Sequence, residues 1–131
     1  MIKISRNLLY LETKHTLAYL CPSPVLPGHS LIFPKQQVSK LYQLGNDSSF
    51  DLWLSVQRAS KILEKYYFST STTIEVKDGV NPWLYINIIP RKSCDLEEND
   101  TIYGIIENLS FGEDNINLRQ EIEMLKKLIS N

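Results

Sequence analysis

The chain has 131 residues and a formal net charge of −1, with 43% hydrophobic and 22% charged residues. That length allows one buried core and argues against two. The near-neutral charge argues against a broad nucleic-acid surface, and the opening stretch MIKISRNLLYLETK is neither a secretory leader nor a membrane span. The expectation is therefore a single intracellular domain, cytoplasmic with a nuclear location as the variant, with no membrane association.

Leu8–Thr13 and Thr16–Cys21 read as two strands of a hairpin turning at Lys14 and His15. Three prolines and Gly28 then break regular structure between Pro22 and Gly28. His29–Pro34 reads as a third strand. Gln36–Gly45 is a connection that Leu41, Tyr42 and Leu44 tack onto the core.

Asn46, Asp47, Ser48 and Ser49 are helix-starting residues, and the helix they open runs to about Tyr67. Leu52, Trp53, Val56, Ala59, Leu63 and Tyr66 form its apolar stripe, while Asp51, Ser55, Arg58, Lys61 and Lys65 fill the opposite side. Ser71–Asp78 alternates as a fourth strand. Trp83–Ile89 is a fifth, ended by Pro90, and a charged loop follows from Arg91 to Asp100. Asn117-x-x-Gln120 resembles a capping box for a terminal helix striped by Ile122, Leu125, Leu128 and Ile129. Together these predict an α+β domain over 1–131, with its core at about 8–103 and a helical extension from about 104. Two isolated cysteines, Cys21 and Cys94, and two histidines give no metal signature.

Two segments carry a family resemblance. Pro24-Val25-Leu26-Pro27-Gly28-His29 is similar to the P-x-x-P-G-H element of histidine-triad (HIT) proteins. Ile88-Ile89-Pro90-Arg91-Lys92, then Asp95, then Asn99-Asp100-Thr101-Ile102-Tyr103, resembles the segment after the triad in the fragile-histidine-triad branch. The resemblance covers about Leu8 to Tyr103. It implies a HIT-like fold, an antiparallel five-stranded sheet with a central helix and a C-terminal helix. It also implies a homodimer, or a subunit of a larger complex, with the dimer formed through the central helix and an adjoining strand.

The family's activity is nucleotidyl hydrolysis or transfer at an α-phosphate. Three alternate histidines on one strand line the phosphate, and the middle one attacks phosphorus. The resemblance puts those three positions at Trp83, Tyr85 and Asn87, none of them histidine. It further places a ribose-contacting asparagine position on Cys21 and a glutamine position on Lys77, and it shortens a phosphate-contacting loop to Val80-Asn81-Pro82. Only His29 keeps a family histidine position.

With the imidazoles gone, the sequence points to a catalytically inactive HIT-like protein. Such a protein would bind a purine nucleotide, AMP- or ADP-like, or a protein or ribonucleoprotein partner, without a cofactor. The nucleotide-binding candidates are Cys21, His29, Lys77, Tyr85 and Asn87. Base rates on surfaces favour solvated roles for Lys77 and Arg91. The alternative is an active dinucleoside polyphosphate hydrolase with a rewired site. There Tyr85 would be the substitute nucleophile, hampered by a phenol pKa near 10 and by the lack of an adjacent base.

Overall fold

The computed structural model describes residues 4–96, 102, 103, 105 and 118–130. Five antiparallel strands form one sheet: β1 (Leu9–Glu12), β2 (Thr16–Leu20), β3 (Ser30–Pro34), β4 (Ser71–Lys77) and β5 (Tyr85–Arg91). Their spatial order is β1-β2-β3-β5-β4, which makes β4 an edge. Helix α1 (Asn46–Tyr67) joins β3 to β4, and helix α2 (Arg119–Ser130) closes the described chain. This is the α+β architecture expected from the sequence.

Helix α1 packs on one sheet face. Leu52, Val56, Ala59 and Leu63 are buried in one cluster with Ala18, Leu20, Ile32, Leu84, Ile86 and Ile88. Burying each of the leucine, isoleucine and valine side chains contributes about 1.5–3 kcal/mol. The Thr72 hydroxyl bonds the Glu64 carboxylate, which ties edge strand β4 to the helix. Gly28 (φ +90°) lies beneath the Tyr67 ring and against Pro90, so a side chain there would collide with both. Helix α2 buries Ile122 and Leu125 and half-buries Leu128 and Ile129. Glu121 accepts a 2.8 Å hydrogen bond from the Tyr67 hydroxyl, linking the two helices. No helix among the described residues is long and apolar enough to cross a membrane.

Several expectations need correcting. Ser55 is buried rather than on the polar side, because its hydroxyl donates to the Asp51 carbonyl within the helix. Asp51 is not simply solvated. It accepts from the Thr13 hydroxyl, the His15 N–H (3.1 Å) and the Thr16 hydroxyl (2.8 Å), clamping the β1–β2 turn to α1. Burial raises the Asp51 pKa, but these three bonds outweigh it and hold the carboxyl below its ordinary range. Tyr42 and Trp53 are exposed rather than core.

Strand β5 begins at Tyr85, two residues later than expected, and runs through Pro90 to Arg91. The Arg91 carbonyl accepts from Thr70 on the β4 side, so Pro90's nitrogen faces the β3 side. There β3 has ended, its last pair with β5 being Ser30 with Ile88, and no ladder bond is lost. The proposed Asn117 cap and residues 97–100 of the charged loop lie outside the described residues.

Candidate functional site

Alternation along β5 sends Leu84, Ile86 and Ile88 toward α1, and Tyr85, Asn87, Ile89 and Arg91 to the other face. The register sets Lys77 opposite Tyr85 and Glu75 opposite Asn87. Residues two apart on one strand share a face about 7 Å apart, and cross-strand partners lie about 5 Å apart. Glu75, Lys77, Tyr85 and Asn87 therefore form the corners of one polar patch. His29, preceding β3, joins it from the other side of β5.

The hydrogen bonds of this patch run in one direction. Val25 N–H donates to His29 Nδ1 at 3.2 Å. That nitrogen is therefore the acceptor of a neutral imidazole, and Nε2 carries the proton. Nε2–H donates to Asn87 Oδ1 at 2.8 Å. The Asn87 amide in turn donates to Glu75 Oε1 at 3.3 Å. Lys77 Nζ pairs with the same carboxylate oxygen at 3.5 Å. Burial pushes the His29 pKa down to about 4, although its bond to Asn87 works the other way. His29 is thus a neutral donor with both nitrogens engaged.

Burial also raises the Tyr85 phenol above its ordinary value. Lys77 opposes that shift and Glu75 adds to it, while a hydrogen bond with Asn87 lowers it. The Tyr85 ring tilts against Phe33 at 5.4 Å between centroids. Trp83 rests on the same Phe33 at 5.4 Å and donates its indole N–H to the Pro34 carbonyl at 3.0 Å. Trp83 is a fixed, half-buried wall of the patch. Cys21 is fully buried, and desolvation lifts its thiol to about 11, so it stays protonated at neutral pH.

Lys77 and Arg91 are both buried, against the expectation that they are solvated. Lys77 has Glu75. Arg91 holds Asp95 through Nε (2.9 Å) and Nη2 (2.8 Å) and donates to the Thr73 hydroxyl at 3.0 Å. The Arg91 guanidinium draws the Asp95 carboxyl down to about 2. A groove of about 550 Å³ opens there, lined in part by Ser71, Thr73, Arg91, Lys92, Cys94 and Tyr103. No three of His, Cys, Asp and Glu among the described residues come together as a metal-binding group.

The structure thus brings His29, Lys77, Tyr85 and Asn87 together, with Cys21 close enough to Tyr85 to act on its charge. Sequence reasoning missed Glu75. The available signal was the E-x-K pattern before Asp78-Gly79, read against the Y-x-N of the next strand.

The HIT domain family model matches residues 3–93. A bis(5'-adenosyl)-triphosphatase of Dictyostelium discoideum is 38% identical over 109 residues, 79% of this chain and 73% of that protein. The bifunctional bis(5'-adenosyl)-triphosphatase/adenylylsulfatase FHIT of Arabidopsis thaliana is 31% identical over 129 residues, 95% of this chain and 69% of that protein. The solved Plasmodium falciparum diadenosine triphosphate hydrolase superposes with a TM-score of 0.75 at 20% identity, covering 97% of this chain and 79% of that one. These relatives overturn the expectation of a catalytically inactive binding protein. At 31–38% identity they are named for hydrolysis, which matches the alternative reading.

Proposed function

Because the chain belongs to the HIT family, in its fragile-histidine-triad branch, we propose that it is a dinucleoside polyphosphate hydrolase with a rewired site. Its substrate class is two adenosine-type nucleosides joined through a phosphoanhydride chain. One observation carries the reading. Around the strand where the family resemblance places three imidazoles, this chain keeps a connected polar patch: Tyr85 and Asn87 of β5, Glu75 and Lys77 of β4, and His29 just before β3. Lys77 is buried here and Glu75 half-buried beside it, and holding a cation out of water is costly unless it is paired or put to use. In this reading Lys77 meets the phosphate oxygens as a charged donor. Tyr85 and Asn87 line the phosphate path, Trp83 walls it, and His29 holds Asn87 in place. Cys21 lies near Tyr85 as a buried, neutral thiol.

Incubation with diadenosine triphosphate, followed by ion-exchange separation of the products, tests this. AMP and ADP accumulating in equal amounts over many turnovers is the expected result. Intact substrate at micromolar protein would refute it.

The same reading proposes a homodimer through the central helix and the neighbouring edge strand. Phe50, Trp53 and Leu54 are exposed one helical turn apart on α1, and Ile74 is exposed on β4. Sedimentation should give twice the chain mass, and Trp53→Glu should halve it.

A further inference from the structure

Glu75 is the end point of the patch. Each bond from Val25 through His29 and Asn87 hands a donor forward, and the last donor lands on the Glu75 carboxylate. Its side chain is 19% exposed, against 9% for Lys77, so water reaches the carboxylate at the sheet edge. The other groups on this face are poorly placed to start a reaction. His29 has spent both nitrogens. The buried phenol of Tyr85 and the thiol of Cys21 are held in their protonated forms. Asn87 has no proton-accepting chemistry at neutral pH. That leaves one carboxylate, and beside it a lysine that offsets its repulsion toward an anionic substrate.

Resting on the hydrolase reading, we propose that Glu75 is the general base of this site, so that hydrolysis proceeds by direct attack of water and without a nucleotidyl-enzyme. The water oxygen bonds to the α-phosphorus, and the bridging phosphorus–oxygen bond breaks. The leaving nucleoside polyphosphate carries off that electron pair. The water proton passes to Glu75 and then to solvent. Lys77 holds the non-bridging oxygens through this step, and Asn87, fixed by His29, keeps the carboxylate aimed. His29 and Asn87 are positioning residues here, and Glu75 and Lys77 are the groups that touch the reactants.

Phosphorus stereochemistry decides the matter without any variant. One displacement inverts a chiral α-phosphorus and two displacements retain it. A substrate carrying a sulfur-labelled chiral α-phosphate, hydrolysed in oxygen-18 water, should give inverted product. Glu75→Gln keeps the size and an acceptor for Asn87 but not the base. It should lower kcat about a hundredfold or more with little change in KM. Retention at phosphorus, or a nucleotidyl adduct trapped by acid quench, overturns the proposal while leaving the hydrolase reading intact. Full activity in Glu75→Gln does the same. If unlabelled diadenosine triphosphate is not consumed at all, the hydrolase reading fails and the assignment of the base falls with it.

Discussion

Acid should destabilise this protein through His29 well before its carboxylates protonate. In the unfolded chain a histidine titrates near 6.5, whereas in the folded protein burial holds His29 at about 4. Between those values the unfolded chain takes up a proton that the folded chain refuses. Stability is therefore complete above about pH 6.5 and falls as the pH drops toward 4. Linkage across that gap gives a loss of about 2 kcal/mol by pH 5, and about 3 kcal/mol once the pH reaches 4. Urea unfolding at pH 7 and pH 5 measures it, with His29→Gln as the reference. That variant lacks the titrating group and shares His15 and every carboxylate with the parent. The parent should lose about 2 kcal/mol more than the variant over this interval. Parallel losses, or a His29 proton resonance titrating near 6.5, would refute the burial argument.

Three further outcomes follow from named contacts. Lys77→Met should raise KM for diadenosine triphosphate about 10- to 150-fold, the equivalent of one charged hydrogen bond worth about 1.5–3 kcal/mol; an unchanged KM in steady-state kinetics would remove Lys77 from the phosphate path. Asp51→Ala strips three bonds from the β1–β2 turn and should cost about 2–3 kcal/mol in denaturant unfolding. Phe68 caps α1 in the left-handed conformation (φ 55°) with its ring exposed, so Phe68→Gly should stabilise the chain by about 0.5–1 kcal/mol, read as a higher thermal midpoint.

What the sequence made legible was mostly periodic. Leu52, Val56, Ala59 and Leu63 mark the buried face of α1 at the expected spacing, and the hairpin, β3 and β4 stand close to where alternation puts them. The misplaced residues share a cause, partners that local pattern does not encode. Asp51 serves a turn 35 to 38 residues away. Ser55 satisfies its hydroxyl on its own helix. Pro90 sits inside a strand because the neighbouring strand stops short of it.

The site was half legible for the same reason. The family motifs located Tyr85, Asn87, His29 and Lys77. Glu75, however, reads along β4 as one more outward residue between Thr73 and Lys77. Only the β4–β5 register sets it against Asn87, and only the chain from His29 shows that its carboxylate is held. The inactive reading rests on the three missing imidazoles alone, and relatives at 31–38% identity named for hydrolysis overturn it.

Phosphorus NMR of diadenosine triphosphate mixed with a small amount of the protein puts the main conclusion to the test. The anhydride resonances should decay to those of AMP and ADP, and Glu75→Gln should slow this decay far more than it weakens binding. Resonances that broaden on binding and then persist unchanged through prolonged incubation would contradict it.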